Sequence, residues 1–578
     1  MAKKKASSKA ETPTRTKAAG RAKPATPSGK AENKARPAPR SGKARTTRNG
    51  REARVRMYRH GLGDCFLVTF PRGDGTPFTI LIDCGLILGT PNAEALMKPV
   101  VDDILATTRD PKTGKSHLQV LVITHEHWDH LSGFVQFQEQ FDKVEIDQVW
   151  LAWTEDPHDA IAQRLRQERQ QRLAALWLGF NGLKQRLAAT GRRAEKDPAQ
   201  QEADRAAQVL SFFGIDPVKD APPAGLTFGT VPAFGLSKTG DAMQWARQKT
   251  ARPRFCRPGD VIELEGTGGI RAYVLGPPTD LAQLHKDRHS RDGQETYGLA
   301  ETMPAESERS FFAAALSTPE DGRVAPNADR VLPFDAKFRI DPKQAKNFDF
   351  FREHYFGSGE DDVEACRRIE GEWVAQSAEL ALKLDSDTNN TSLVLAFELP
   401  DRRVFLFPAD AQVGNWESWH ADSRGNKRVW EVGARSVQID GRVITEDARH
   451  VTAEELLNRT VFYKVSHHGS HNATLRQKGL EMMIDANLVA LVPVDTYVAH
   501  EMKHWKQMPF VPLLSRLADL TRDRVVLADQ PARPFPAGPV RVEDAAQKIA
   551  VLDAEGNPAK RPLYVDLIFT LPDSHVNK

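Results

Sequence analysis

The sequence predicts a mixed α/β (α+β) domain with helical and loop insertions and a disordered, basic N-terminal tail. Three observations carry this expectation. Short apolar runs of strand length fall in two clusters, within residues 53–150 and 255–530. Between them, residues 155–213 show helical spacing of apolar and charged positions and no convincing strand. Residues 1–50 hold almost nothing that could enter a core.

At 578 residues the chain has room for one large domain with insertions or for two to three domains. Hydrophobic content of 40% and charged content of 27% are ordinary for a globular protein. No apolar run approaches the roughly 20 residues of a spanning helix, so no transmembrane segment is expected. Cys65, Cys84, Cys256 and Cys366 are scattered without CxxC pairing, which suggests neither a disulfide framework nor a cysteine zinc knuckle; a reducing cytoplasm is the default. The total charge of +3 is uneven. Residues 1–50 carry 15 Lys or Arg against Glu11 and Glu32, a net +13, which leaves −10 for the remainder. The folded part is therefore mildly acidic, and a basic surface over the whole globule is not expected.

Residues 1–51 form the expected disordered tail, rich in Lys, Arg, Ala, Pro, Ser and Thr and lacking the apolar segment of a secretory signal. Its cations suit contact with nucleic acid phosphates, with counterion release. A solvated tail that merely aids solubility fits the composition equally well, and organelle targeting is a third reading. Arg54–Tyr58, Cys65–Phe70 and Phe78–Ile82 read as three strands joined by turns at 60–64 and 73–75, a meander at a sheet edge. A helix is expected over Ala93–Ala106, a buried strand over Leu118–Ile123, a helix from Leu131 and a strand over Val144–Trp150. From Gln163 to Phe213 an inserted helical pair is expected, whose Arg-rich face suits nucleic acid or a protein partner; a solvated amphipathic face is the plainer reading. Val261–Leu264 and Ile270–Leu275 read as strands closed by Gly276-Pro277-Pro278. Residues 285–345 read as a long irregular insertion containing His285 and His289, and Phe348–Leu382 as helical. Asn389–Phe397, Arg403–Phe407 and Thr460–Val465 read as strands, with Leu488–Pro493 the last of the core and His500 and His504 in a loop after it.

One stretch concentrates chemistry. Thr124-His125-Glu126-His127-Trp128-Asp129-His130 follows directly on a buried strand and places three imidazoles and a carboxylate within six positions. His125 and His127, two apart, point the same way from an extended segment, while Asp129 and His130 reach round from the following turn. That arrangement suits two ions. A second dense block, Ser466-His467-His468-Gly469-Ser470, ends the strand at Val465, and Asp410 follows the strand at Phe407.

The His-x-His-x-Asp-His pattern resembles the signature of the metallo-β-lactamase superfamily, and the flanking segments resemble its branch related to the hydrolase domain of the DNA-uptake protein ComEC. The resemblance covers residues 53–150 and 255–530 with gaps. Gly61-x-Gly63-Asp64 is similar to the opening of that branch, Asp83-x-Gly85 to the superfamily's first motif, Asn389-Asn390-x-Ser392 to a strand of the branch, Asp410 to the fourth motif and His467-His468-Gly-Ser to the fifth. It implies an αββα sandwich of two face-to-face sheets, with residues 52–154 as one half, 155–250 a helical insertion, and 251–575 the other half interrupted by an insertion at about 280–385. It also implies two divalent ions, zinc first, with manganese or iron as substitutes. His125 and His127 would hold one, Asp129, His130 and His467 the other, with Asp410 between them. Asp83 would hydrogen-bond to the metal loop rather than coordinate. Glycine at 133 would let the following helix approach that loop closely. His467 is favoured as ligand because it comes first after the strand; His468 would then bond substrate or shuttle a proton. The third histidine of the first site in most members is replaced here by Asn389-Asn390-Thr391-Ser392, as in the ComEC branch.

A metal-activated water is the expected nucleophile, with Asp129 orienting it and His468 or the second ion stabilising the leaving oxygen. The expected substrate is a phosphodiester of DNA or RNA. The alternatives are small esters, lactams or thioesters, and a non-catalytic partner-binding module that uses the helical insertion.

Overall fold

The structure, a computed structural model, describes residues 52–190, 198–221, 235–286, 340, 342–345, 347–356, 381, 383–439, 442–535, 538–572 and 574–576. The expectations for the tail 1–51, for His289 and for most of 287–382 lie outside these residues. Eight strands make a first mixed sheet: β1 (Glu52–Tyr58), β2 (Cys65–Pro71), β3 (Pro77–Cys84), β4 (His117–Val122), β5 (Glu145–Ala152), β6 (Arg254–Cys256), β18 (Val540–Asp544) and β21 (Tyr564–Thr570). Their spatial order is β18-β21-β1-β2-β3-β4-β5-β6. A second sheet contains β7 (Val261–Glu263), β8 (Arg271–Gly276), β9 (Val394–Glu398), β10 (Val404–Phe407), β15 (Thr460–Lys464), β16 (Val489–Val492) and β17 (Val525–Leu527), ordered β17-β16-β15-β10-β9-β8-β7. Three small sheets pair β11 (Trp430–Val432) with β14 (Arg449–Val451), β12 (Arg435–Ile439) with β13 (Arg442–Glu446) and β22 (Ser574–Val576), and β19 (Lys548–Leu552) with β20 (Pro558–Pro562).

Side-chain alternation explains why the central strands read as unbroken apolar runs. On β10, Phe405 and Phe407 enter a core shared by the two sheets, whereas Val404 and Leu406 enter a second core on the other face. On β2, Phe66, Val68 and Phe70 point into the shared core while Cys65 and Leu67 point away. Both faces of both sheets are thus dry. Rings cross the interface directly: Phe66 meets Phe407 at 5.9 Å and Phe70 meets Phe397 at 5.7 Å between centroids. The outer face of the first sheet is covered by α1 (Ala93–Thr107), α2 (Trp128–Gln136) and α6 (Lys238–Gln248). That of the second carries α4 (Ala160–Thr190), α5 (Pro198–Phe212) and the helices Val413–Ser418, Ala453–Asn458 and Val511–Thr521. The expected helical pair at Gln163–Phe213 is therefore present, and its apolar positions are packed: Leu173, Leu176, Trp177 and Leu210 lie in the core under the second sheet. No helix among the described residues is long and apolar enough to cross a membrane.

Three expectations are corrected. The strand at Leu488–Pro493 is not the last of the core, because β17 extends the second sheet and β18 and β21 extend the first. Consequently the β1–β3 meander is interior rather than at an edge: β21 pairs with β1 over its whole length. Arg56 fixes this pairing, donating from Nε and a terminal nitrogen to both oxygens of Asp566 at 2.8 and 2.9 Å. The expected strand beginning at Asn389 begins at Val394 instead, since 383–390 are helical and two turns, Thr391 N to Thr388 O and Ser392 N to Asn389 O, separate helix from strand.

Phe405 sits among Phe70, Phe462 and Phe569, the last at 4.4 Å between centroids. Phe405→Ala is expected to destabilise by about 3–5 kcal/mol, read as a lowered midpoint in urea unfolding at unchanged slope.

Candidate metal centre

Parallel strand pairs carry the candidate residues to one place. β3 and β4 are parallel neighbours, as are β10 and β15, so Asp83 with residues 124–130 and Asp410 with His467 and His468 emerge from carboxyl ends of strands. The two ends are joined by a backbone bond from Leu393 N to Thr124 O at 2.9 Å.

Asp83 organises the loop after β4. Its carboxylate accepts from Thr124 N at 2.9 Å, from Thr124 Oγ1 at 2.7 Å and from His130 Nδ1 at 2.8 Å. His130 is thereby turned with Nε2 towards Asp410 Oδ2, 3.2 Å away. Gly85 is required here by contact: a Cβ would lie 2.2 Å from the carbonyl carbon of Asp129. Gly133 lets α2 sit on the end of β3, where a Cβ would meet Cys84 Sγ at 2.6 Å.

Asp129, His130, Asp410 and His468 each offer a ligand atom, all within 4.8 Å of one another. His468 Nε2 lies 3.0 Å from Asp129 Oδ2 and 3.7 Å from Asp410 Oδ2, while its Nδ1 is held by the carbonyl of Pro493 at 2.8 Å. His467 stands further out, with Nε2 3.9 Å from Asp410 Oδ2 and its side chain 12% exposed. The two adjacent histidines have thus exchanged the places that the sequence suggested. The reason is the backbone: both are left-handed, at φ 46° and 52°, so the turn carries the second ring, not the first, under the strand end. His125 and His127 lie beside this group, Nε2 of the first 3.1 Å from Nδ1 of the second. Asn390 Oδ1 accepts from the backbones of Gln412 and Asn415, steadying the loop that carries Asp410.

Three residues that the motifs did not assign complete the site. Lys464 on β15 is buried and places Nζ 2.5 Å from Asp64 Oδ2 and 3.1 Å from Asp410 Oδ1. Asp64 also accepts no bond at Oδ1, which is buried. Asp385, on the helical segment 383–390, faces His127 Nε2 at 3.9 Å. The Gly61-x-Gly63-Asp64 pattern and a lysine inside the apolar run Thr460–Val465 were the legible signals among these; Asp385 had none.

Burial opposes charge on every group, and mutual pairing decides which keep it. Asp410 is driven up by burial, but Lys464, His130, His467 and His468 outweigh this and hold it well below the carboxylate range. Asp129 is likewise lowered against burial by His130 and His468. Burial lowers His130 and His468, yet the surrounding carboxylates, Asp410 foremost, raise both. Burial pushes His127 down to about 3 and His467 to about 4, and with His130 and His127 it pushes His125 well below the usual value. Asp385 is pushed up to about 8 by burial, with Asp129 and Asp410 adding to it. Charged carboxylates, with imidazoles that are neutral (His125, His127, His467) or that would give up a proton to a bound cation (His130, His468), are a donor set that a divalent cation takes. His130 Nε2, Asp129 Oδ1 and Asp410 Oδ2 are buried without hydrogen-bond partners, so the group formed by Asp129, His130, Asp410 and His468 could hold a metal ion.

The helical insertion roofs this centre. Phe212 stacks on His127 at 5.2 Å, Phe213 meets the same ring edge-on, and Trp505 stacks on Phe212. Arg169 on α4 straps the roof to the metal loop, 2.5 Å from Glu126 and 3.0 Å from Glu155, and Thr239 on α6 donates to Glu126 at 3.2 Å.

Comparison with protein-family models, with curated proteins and with solved structures finds no match for the chain.

Arg169→Ala strands the Glu126 carboxylate in a dry site. The expected cost is about 3–5 kcal/mol in urea unfolding; a cost within 0.5 kcal/mol, the usual range for surface positions, would show that the strap does not fasten the insertion.

Proposed function

We propose that the chain is a metal-dependent hydrolase of the metallo-β-lactamase superfamily, in the branch related to the ComEC hydrolase domain, acting on phosphodiester bonds of DNA or RNA. The observation that carries the reading is the convergence of Asp129, His130, Asp410 and His468 from three distant parts of the sequence, with ligand atoms within 4.8 Å. Two packed sheets with helices on their outer faces support the αββα architecture. Imidazole and carboxylate donors suit zinc, with manganese or iron as substitutes. Asp129, His130, Asp410 and His468 would hold one ion, and His125 with His127 the other. Divalent ions so held supply Lewis acidity and lower the pKa of a water towards about 7.

The chain's own residues do the rest. Asp129 turns Oδ2 to His468, which leaves the buried Oδ1 without a partner and able to accept a hydrogen bond from the attacking water. His467, the more exposed of the pair, donates to the leaving oxygen in place of His468. Asp64 and Lys464 anchor Asp410 through Oδ1, so that Oδ2 is the oxygen presented. The +13 of residues 1–50 draws the polyanion to an otherwise acidic globule. The aromatic wall of Phe212, Phe213 and Trp505 beside His127 favours, as a second reading, a small ester, lactam or thioester.

Purified full-length protein is to be incubated with single- and double-stranded DNA, RNA, bis-p-nitrophenyl phosphate, nitrocefin and a thioester, with Zn²⁺ or Mn²⁺ and with chelator. Metal-dependent cleavage of a phosphodiester is expected; cleavage of nitrocefin or the thioester alone would select the second reading. Asp129→Ala is expected to abolish turnover, and Asp410→Ala to lower metal content by elemental analysis. Removing residues 1–50 is expected to weaken DNA binding steeply at low salt, and an unchanged affinity would remove the tail from the reading.

A further inference from the structure

The first-ion half-site, His125 and His127, lacks the third imidazole that the resemblance leads one to expect. The two rings nevertheless stand as ligands of one ion do. His125 Nε2 and His127 Nδ1 are 3.1 Å apart, close to the roughly 3.3 Å separating two nitrogens on a tetrahedral zinc at about 2.0–2.1 Å. Both residues are 2% exposed. If Nδ1 of His127 faces the ion, its Nε2 must carry the proton, and a buried N–H needs an acceptor. Nε2 has no partner. Across 3.9 Å stands Asp385 Oδ1, which has none either. The gap is one that a small side-chain shift or a single bridging water closes.

The carboxylate is presented for this. Its other oxygen, Oδ2, accepts from Asn389 Nδ2 at 3.3 Å, so Asn389, sited where the missing histidine was expected, holds Asp385 with Oδ1 towards His127. Asp385 faces His127 at Nε2, whereas His125 meets the ring at Nδ1, so in this arrangement Asp385 supports the ring rather than sharing the ion with it. We infer that Asp385 is a positioning residue for the first ion: its Oδ1 accepts the Nε2–H of His127, fixing the tautomer and turning the Nδ1 lone pair to the ion that His125 also binds. The inference rests on the metal-hydrolase reading and deepens it. With two protein ligands, one of them the oriented imidazole, this is the weaker half, and Asp385 acts on it alone.

The test is zinc stoichiometry by elemental analysis of the full-length protein after dialysis against graded free zinc, for wild type, Asp385→Ala and Asp385→Asn, with thermal melting of the metal-free forms as the folding control. Wild type is expected to take up two ions of unequal affinity. Asp385→Ala is expected to weaken the looser ion about 10–100-fold and leave the tighter one unchanged. Asp385→Asn, whose amide oxygen still accepts from His127, is expected to stay within about threefold of wild type, since most of an accepting group's effect on the tautomer is retained. Unchanged binding of both ions in Asp385→Ala, or an Asn variant as impaired as the Ala variant, would overturn the positioning role while leaving the hydrolase reading intact. A wild type that binds no zinc at any concentration would overturn the hydrolase reading itself, and this inference with it.

Discussion

Four carboxylates, those of Asp64, Asp83, Asp129 and Asp410, are buried together where the ends of two sheets meet, and the rest of the centre follows from the need to balance them. A buried charge without a partner costs several kcal/mol, so each must face a cation or several donors. Lys464 answers Asp64 and Asp410, His130 answers Asp83 and Asp410, and His468 answers Asp129. Two sheets with dry faces on both sides leave no water to share the task. The carboxyl ends of parallel strands can gather polar side chains from distant segments: β3 and β15 supply Asp83 and Lys464, the loops after β4, β10 and β15 supply Asp129, His130, Asp410 and His468, and the turn between β1 and β2 adds Asp64.

Much of this was legible from the residues alone. The apolar runs of β2, β3, β4, β10, β15 and β16 declared themselves because each is largely buried on both faces and so reads as a nearly continuous apolar stretch. The His125–His130 hexad and Asp83 could be read because their spacing is local. What could not be read is non-local or conformational. Nothing in adjacent letters tells His467 from His468; the left-handed turn decides between them. Asp385 lies on a helical segment without a motif, and its meaning comes only from facing His127. The late strand β21 escaped notice because its partner, β1, is far away in sequence, and β18, which pairs with β21, escaped with it.

The insertion between β5 and β6 is built into the centre rather than attached beside it. Phe212 and Phe213 wall His127, and Arg169 neutralises a glutamate that sits inside the histidine hexad itself. Charge pairing at Glu126 and aromatic contact at His127 therefore make the metal loop and the insertion one cooperative unit. The Arg-rich face that looked free in sequence is in part occupied inwardly, by Arg166 on the carbonyl of Thr154 and by Arg172 on Asp387 as well as by Arg169.

The bond between Arg56 and Asp566 joins residues 510 positions apart. A ribosome adding roughly 5–20 residues per second makes the first strand roughly 25–100 s before the one that covers its open edge. During that interval β1 offers unpaired amides and carbonyls to any extended segment nearby. The first sheet is thus closed along this edge only after residues 564–570 have been made, and until then a strand that the finished molecule covers is open to wrong pairing.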